Sequence, residues 1–379
     1  MSRMRWVLAT SAAVFALGGA PASVSSQVRL RDLVFTAGGS VERYSGNFSS
    51  VTVPVVDSTN SAAAAVGEFS ARGRIVFLQD AKHGFERLGL AFDGGLRQSA
   101  AVGFTLRDYA PREWVGNVDA WYQESLGTAT SLRIQAGIQG RSVTDRPPMP
   151  LFLQPGHSTL TASATVFTRA GRGALVDATI DVERADYAAL AFLPQLDLLD
   201  RTGAGVELGA SWGGASTLRF YTGMRWTSYR HQGSFDPRDP FRRDRTVRAG
   251  LDWRYGGSGI FAELGMEGTV NRSNSDRPEY DAVSVRGLFS ASLPADFSLN
   301  LFALLTQKSY VRETEFARLV PGEEADNASL AYLQLTRPLA TNLDGAIRLG
   351  WTRAETDIGN AYYQRTGFSF RLNYRPNGH

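Results

Sequence analysis

The chain contains no cysteine. That excludes disulfides, a thiol nucleophile, cysteine-ligated metal and the cysteine-borne lipid anchor of an exported lipoprotein. Histidine is scarce, with four in 379 residues. Long apolar runs are missing as well. Although 43% of the residues are hydrophobic, none of the runs approaches the roughly 18–20 consecutive apolar residues that a spanning helix needs, so a helical membrane protein is excluded. There is no basic tract to attract nucleic acid. The formal net charge of +3 falls to +1 once Arg3 and Arg5 are set aside. No Gly-rich loop stands between a strand and a helix to cradle phosphate, and acidic spacing of the calcium-loop type is absent. No cofactor or metal is expected.

What is present begins with MSRMRW followed by VLATSAAVFALGGAPA. Arg3 and Arg5 form a positive start, Val7 to Leu17 a short apolar core, and Ala20 and Ala22 an A-x-A site. This reads as a secretory leader over residues 1–22, with the mature chain starting at Ser23 and a single domain over 23–379.

From about residue 30 onward the apolar residues alternate with polar ones. Leu132, Ile134, Ala136 and Ile138 share one face of SLRIQAGIQGR, while Arg133, Gln135, Gln139 and Arg141 share the other. Val247, Ala249, Leu251, Trp253 and Tyr255 oppose Arg248, Asp252 and Arg254. Ile260, Ala262, Leu264 and Met266 oppose Glu263 and Glu267. In FSLNLFALLTQK, Leu299, Leu301, Ala303 and Leu305 oppose Ser298, Asn300, Thr306 and Lys308. A period of two over such lengths is the signature of a strand with one apolar and one wet face.

Sixteen such segments are expected, near 32–45, 63–79, 85–97, 114–125, 130–143, 158–169, 174–186, 202–212, 216–229, 245–255, 259–271, 281–293, 296–309, 327–337, 342–355 and 361–375. Residues 46–62 and 98–113 could each hold one more. The connectors alternate. QDAKHG, SLGTAT, RAGRG, WGGAS, GGSG, LPAD and RPLATN are short; RSVTDRPPMPLFLQPGH and KSYVRETEFARLVPGEEAD are among the long ones. Turn-forming Gly, Pro, Asn and Asp dominate both kinds.

A soluble sandwich or propeller would show the same alternation with its apolar face inside. Three features favour lipid outside. Aromatics stand at strand ends on the apolar face: Tyr122, Trp212, Trp253, Tyr255 and Tyr374 toward the short turns, Trp114, Trp226 and Trp351 toward the long loops. The apolar face is rich in Ala and Gly, which fill a dry core poorly. The segments are also about twice the usual strand length. The fold class expected is all-β: one antiparallel transmembrane β-barrel of about sixteen strands, within a range of 14–18, with short periplasmic turns and longer extracellular loops.

The C-terminal segment, YYQRTGFSFRLNYRPNGH, resembles the last strand of Gram-negative outer-membrane β-barrel proteins. Arg365, Gly367, Phe370 and Leu372 match the pattern of a polar residue, a glycine and two spaced apolar residues, and Tyr374 continues the outward face. The tail from Arg375 to His379 departs from family members that stop at an aromatic. The resemblance implies an outer-membrane location, membrane lipid as surroundings, and Gly367, Phe370, Leu372 and Tyr374 as a signal read by the barrel-assembly machinery.

Catalysis finds little to work with. His83 falls in a short turn and His379 at the end, while His157 and His231 fall in long loops. Only His231, close in sequence to Asp236 and Asp239, could join an acid/base or metal cluster; HQGSFDPRDPF reads in preference as a solvated polar loop. Nor is there room before the first strand for a plug domain of about a hundred residues. The interior wall therefore carries the function. Arg133, Glu207, Arg219, Arg225, Arg248, Asp252, Arg254, Glu263, Glu267, Arg286 and Arg348 are expected to line it, with Arg72, Arg74, Arg141, Arg371, Glu68, Asp119, Asp177, Asp181 and Asp344. Arg219, Arg225, Arg248 and Arg254 are expected on three successive strands, facing Glu207, Asp252, Glu263 and Glu267. Such a wall could line a water-filled, porin-like path for small hydrophilic solutes. It could instead knit a closed interior for a barrel serving secretion, surface assembly or anchoring. The loop with Met149, Leu151, Phe152 and Leu153 is apolar enough to fold inward. Solute and oligomeric state stay open.

Overall fold

The computed structural model describes residues 28–46, 62–80, 85–102, 112–144, 156–171, 173–188, 198–235, 237–275, 279–311, 329–355 and 362–376. The leader, Ser23, the VTVPVV segment, His83 and the Met149–Leu153 loop lie outside them.

Sixteen strands run in chain order: β1 Arg29–Gly46, β2 Ala62–Asp80, β3 Phe85–Val102, β4 Arg112–Ser125, β5 Thr130–Thr144, β6 His157–Ala170, β7 Ala174–Tyr187, β8 Arg201–Gly213, β9 Ser216–Gly233, β10 Phe241–Gly257, β11 Ile260–Ser273, β12 Tyr280–Ser292, β13 Ser298–Tyr310, β14 Ser329–Ala340, β15 Leu343–Glu355 and β16 Tyr362–Tyr374. Each pairs antiparallel with its chain neighbours, and β1 pairs with β16 from Phe35↔Tyr374 to Gly46↔Tyr363, which closes the barrel. The strands contain 12 to 19 residues. At about 3.3 Å per residue, twelve residues reach about 40 Å, and a tilt near 40° turns that into about 30 Å of height, the thickness of a bilayer core. Residues 98–102 extend β3 and form no separate strand.

Period two decides which side chains meet lipid. Ile134, Leu251, Leu264, Leu301 and Phe370 all lie on the outer face and keep between 37% and 52% of their surface exposed, within an apolar belt far larger than a surface facing water carries. The aromatics mark the rims of this band. Trp253 and Tyr255 stack at 6.3 Å beside one short turn, and Trp212 meets Phe220 edge-on at 6.0 Å beside another. Trp114 and Trp226 stand exposed toward the long loops. With its closed ladder, apolar belt and aromatic rims, the chain has the architecture of an outer-membrane β-barrel.

The short turns are tight enough to need the left-handed region. Gly213 has φ 125° and Gly259 φ 76°, and the β12–β13 turn places Ala295 and Asp296 both at φ 60°. Consecutive positive φ values match the right-handed twist of the flanking strands, which outweighs the small penalty for a residue with a Cβ.

Candidate pore lining

The polar face is the concave one, and its ion pairs prove the geometry. Arg219 on β9 reaches Asp177 on β7 at 2.8 Å, past β8. Arg248 on β10 reaches Glu207 on β8 at 2.7 Å, past β9. Side chains on alternate strands converge only inside a curved sheet.

One device recurs. Glu207, Gly223 and Arg248 are successive ladder partners on β8, β9 and β10. Asp181, Gly205 and Arg225 repeat the order on β7, β8 and β9, and Asp252, Gly265 and Arg286 on β10, β11 and β12. Glu68, Gly38 and Arg371 repeat it across the closing seam, on β2, β1 and β16. In each case the carboxylate and the guanidinium join over the glycine. A Cβ at Gly205 would stand 2.5 Å from Asp181 Oδ1. The middle strand gives up its side chain so that the outer two can pair, a use of strand glycine for close approach.

All eleven residues expected to line the wall lie on this inner face, by ladder parity. Their pairings are specific. Arg219 binds both Asp177 and Glu207, at 2.8 and 2.9 Å. Arg225 binds Asp181 and, at 3.3 Å, Glu183. Arg254 meets Glu263 at 3.1 Å, and Arg286 bridges Asp252 and Glu263 at 3.1 and 2.9 Å. Glu267 accepts a hydrogen bond from Tyr221 Oη at 2.9 Å. The four arginines singled out from the sequence come from two adjacent strands, β9 and β10, and not three. They share Glu207 and Glu263 as foreseen, but Asp252 is held by Arg286 and Glu267 by Tyr221, because register brings Asp177, Asp181 and Glu183 of β7 within reach instead.

Two of these eleven stand apart. Arg133 lies over the Trp121 ring at 5.8 Å, and Arg348 over Tyr332 at 4.0 Å; neither meets a carboxylate among the described residues. A second ion cluster occupies the β16–β5 arc. Arg97 joins Glu42 and, at 3.6 Å, Glu113, which Arg141 holds at 2.9 Å. Glu42, Glu113 and Arg141 are buried. Between the clusters, Asp93, Asn117, Asp119, Gln139, Thr159 and Thr161 line a polar recess of about 280 Å³. There Asn117 Nδ2 donates to Asp119 Oδ2 at 2.7 Å and to Asp93 Oδ1 at 3.3 Å.

The C-terminal residues sit in the closing seam. Phe370, Leu372 and Tyr374 point outward, opposite Gly39, Ala37 and Phe35, while Gly367 faces inward opposite Glu42. Of the His231 cluster, the structure describes two members, with His231 on β9 and not in a loop. His231 Nε2 lies 3.6 Å from Asp200, while Asp239 pairs with Arg243 at 3.1 Å; Asp236 is outside the described residues. Sequence reading also missed part of the wall. Phe302 and Leu304 share the inner face with Asn300 and Thr306, and Leu288, Leu330 and Tyr332 share it through pairing. The run Leu-Phe-Ala-Leu-Leu hides its own alternation, and counting parity from Ser298 would have exposed it.

No family model matches the chain, and no curated protein does. Solved structures of outer membrane channels are similar over most of their length. OpdK from Pseudomonas aeruginosa is 11% identical, with 90% of this chain and 99% of that one covered at a TM-score of 0.43. OccK2 (OpdF) from the same organism is 13% identical, with 90% and 98% covered at 0.40. The COG4313 outer membrane channel from Pseudomonas putida F1 is 11% identical, with 94% and 99% covered at 0.39. At such identities the likeness concerns the fold alone.

Proposed function

We propose that this barrel is a porin-like channel, passing small hydrophilic solutes through the outer membrane by passive diffusion, and that it is not an enzyme. One observation carries the reading: a polar inner wall on a closed barrel of sixteen strands. Sixteen strands enclose more than side chains alone fill, so water occupies the remainder. The wall's charges alternate in sign and are joined pairwise, which supports weak ion preference set by local constrictions. Conductance of the refolded protein in a planar bilayer tests this. Steady open-channel current supports the reading, and a sealed barrel contradicts it.

A second reading draws on the buried Glu42, Glu113 and Arg141 cluster, which suits a barrel with a knitted interior serving secretion, surface assembly or anchoring. Absence of current would favour it. Membrane lipid and the barrel-assembly machinery are the partners we infer, the latter through Gly367, Phe370, Leu372 and Tyr374. Replacing Phe370 and Leu372 together by Ser should lower insertion in cells, and wild-type insertion would count against the signal.

A further inference from the structure

The inner faces of β12, β13 and β14 break the polar pattern. Pairing sets Leu288 beside Phe302, Phe302 beside Tyr332, and Leu304 beside Leu330. The Phe302 and Tyr332 rings stack at 5.4 Å with 24° between their planes. All five side chains are half-buried. On the outer face such residues would meet lipid. Here they form a contiguous apolar surface on the wall that elsewhere carries ion pairs, and in a wet lumen that surface gains free energy only when something apolar covers it.

Two further observations define what would cover it. Arg348 on β15 lies at the edge of the patch, its guanidinium over the Tyr332 ring at 4.0 Å and its Nε donating to Gln334 Oε1 at 2.9 Å. Unlike Arg219, Arg225, Arg248, Arg254 and Arg286, it has no carboxylate partner among the described residues. Beside Tyr332, on the same rung, stands Gly350, and nothing lies within 4 Å of where its Cβ would be. The flank of the aromatic stack therefore opens onto a recess next to a guanidinium with no direct ion pair among the described residues; the nearby Glu68 carboxylate is held by Arg371.

We propose that this wall binds an amphipathic organic anion, a carboxylate carried on an aromatic or aliphatic body. The inference rests on the channel reading and names a solute class for it. The apolar body lies against Phe302, Tyr332 and the leucines and fills the space at Gly350. The carboxylate takes guanidinium N–H groups of Arg348, which Gln334 and the ring below hold in place. Charge-assisted pairing with arginine suits a planar carboxylate, and the ring face adds to the guanidinium's preorganisation.

The test uses the refolded full-length barrel with benzoate, acetate and benzylammonium as probes, by calorimetry in detergent and by current block in planar bilayers. Benzoate should bind on the order of tenfold more tightly than acetate, because it adds an apolar body, and should exceed benzylammonium, whose charge is wrong. Arg348→Gln should weaken benzoate by about tenfold while Arg348→Lys retains more of the affinity. Gly350→Val fills the recess without touching charge and should also weaken benzoate. Benzoate no tighter than acetate, or equal affinity in wild type, Arg348→Gln and Gly350→Val, overturns the site. If those apolar residues are instead covered by the chain itself, benzoate shows no preference, which also overturns it. Calorimetry needs no conduction. Benzoate binding without current sinks the channel reading alone, and current without benzoate preference sinks the site alone.

Discussion

The inner wall is built in two styles. From β7 to β12 it is a lattice in which each arginine finds one or two carboxylates, often across a glycine on the strand between. From β12 to β15 its middle is aromatic and aliphatic, flanked by the polar pairs Ser284–Thr306 and Ser290–Asn300, and its arginine, Arg348, rests on a tyrosine ring. The first arc spends its charge on itself. It is rigid, because moving one partner strands another in a partly desolvated position. The second arc keeps apolar surface and a positive charge available. The difference shows that a wall's charge content says little about its field, since what matters is which charges the wall has already neutralised.

The largest effect should come from exchanging faces. Leu264→Arg puts a cation into the lipid belt and should cost about 2–4 kcal/mol of barrel stability near the midplane. Leu304→Arg on the aromatic arc should cost well under that, since its surroundings are wet. Urea unfolding in lipid vesicles measures both, and equal losses would mean that the inner arc is dry.

Next comes Arg219→Leu. It leaves buried Asp177 and half-buried Glu207 without their shared cation, and a loss of about 2–3 kcal/mol is expected, less than for a fully buried pair. A loss below about 0.5 kcal/mol would place Arg219 among solvent-screened pairs instead.

Smaller again is the glycine comparison. Gly205→Ala crowds the Asp181–Arg225 bridge and should cost about 1 kcal/mol, whereas Gly350→Ala should be within about 0.5 kcal/mol of wild type because nothing lies within 4 Å. Equal effects would remove the distinction between a glycine that carries a bridge and one that borders a recess.

Much of this architecture was legible in the sequence, for identifiable reasons. The expected segment 174–186 became Ala174–Tyr187, because alternation from Val176 to Glu183 is unbroken and RAGRG marks its start. The expected 245–255 became Phe241–Gly257, because the ladder continues above the lipid belt, where Arg243 and Arg245 point outward and no apolar alternation announces the strand. The lumen charges were legible one strand at a time, but their pairing was not. Whether Arg225 meets Asp181 depends on the register of three strands and on Gly205 between them, information that no single strand contains. The aromatic arc escaped notice because an apolar residue on both faces erases the period-two signal.

The account's central claim is that water and solutes cross this barrel, past a charged arc that cancels its own field. Reversal potential under a KCl gradient, recorded on refolded wild-type protein and on the Arg248→Gln/Arg254→Gln double variant, tests it most directly. The account expects open-channel current with weak ion preference in wild type, and a clear shift toward cations in the variant as Glu207 and Glu263 lose partners. No current from either protein, or current whose reversal potential ignores the two substitutions, would contradict it.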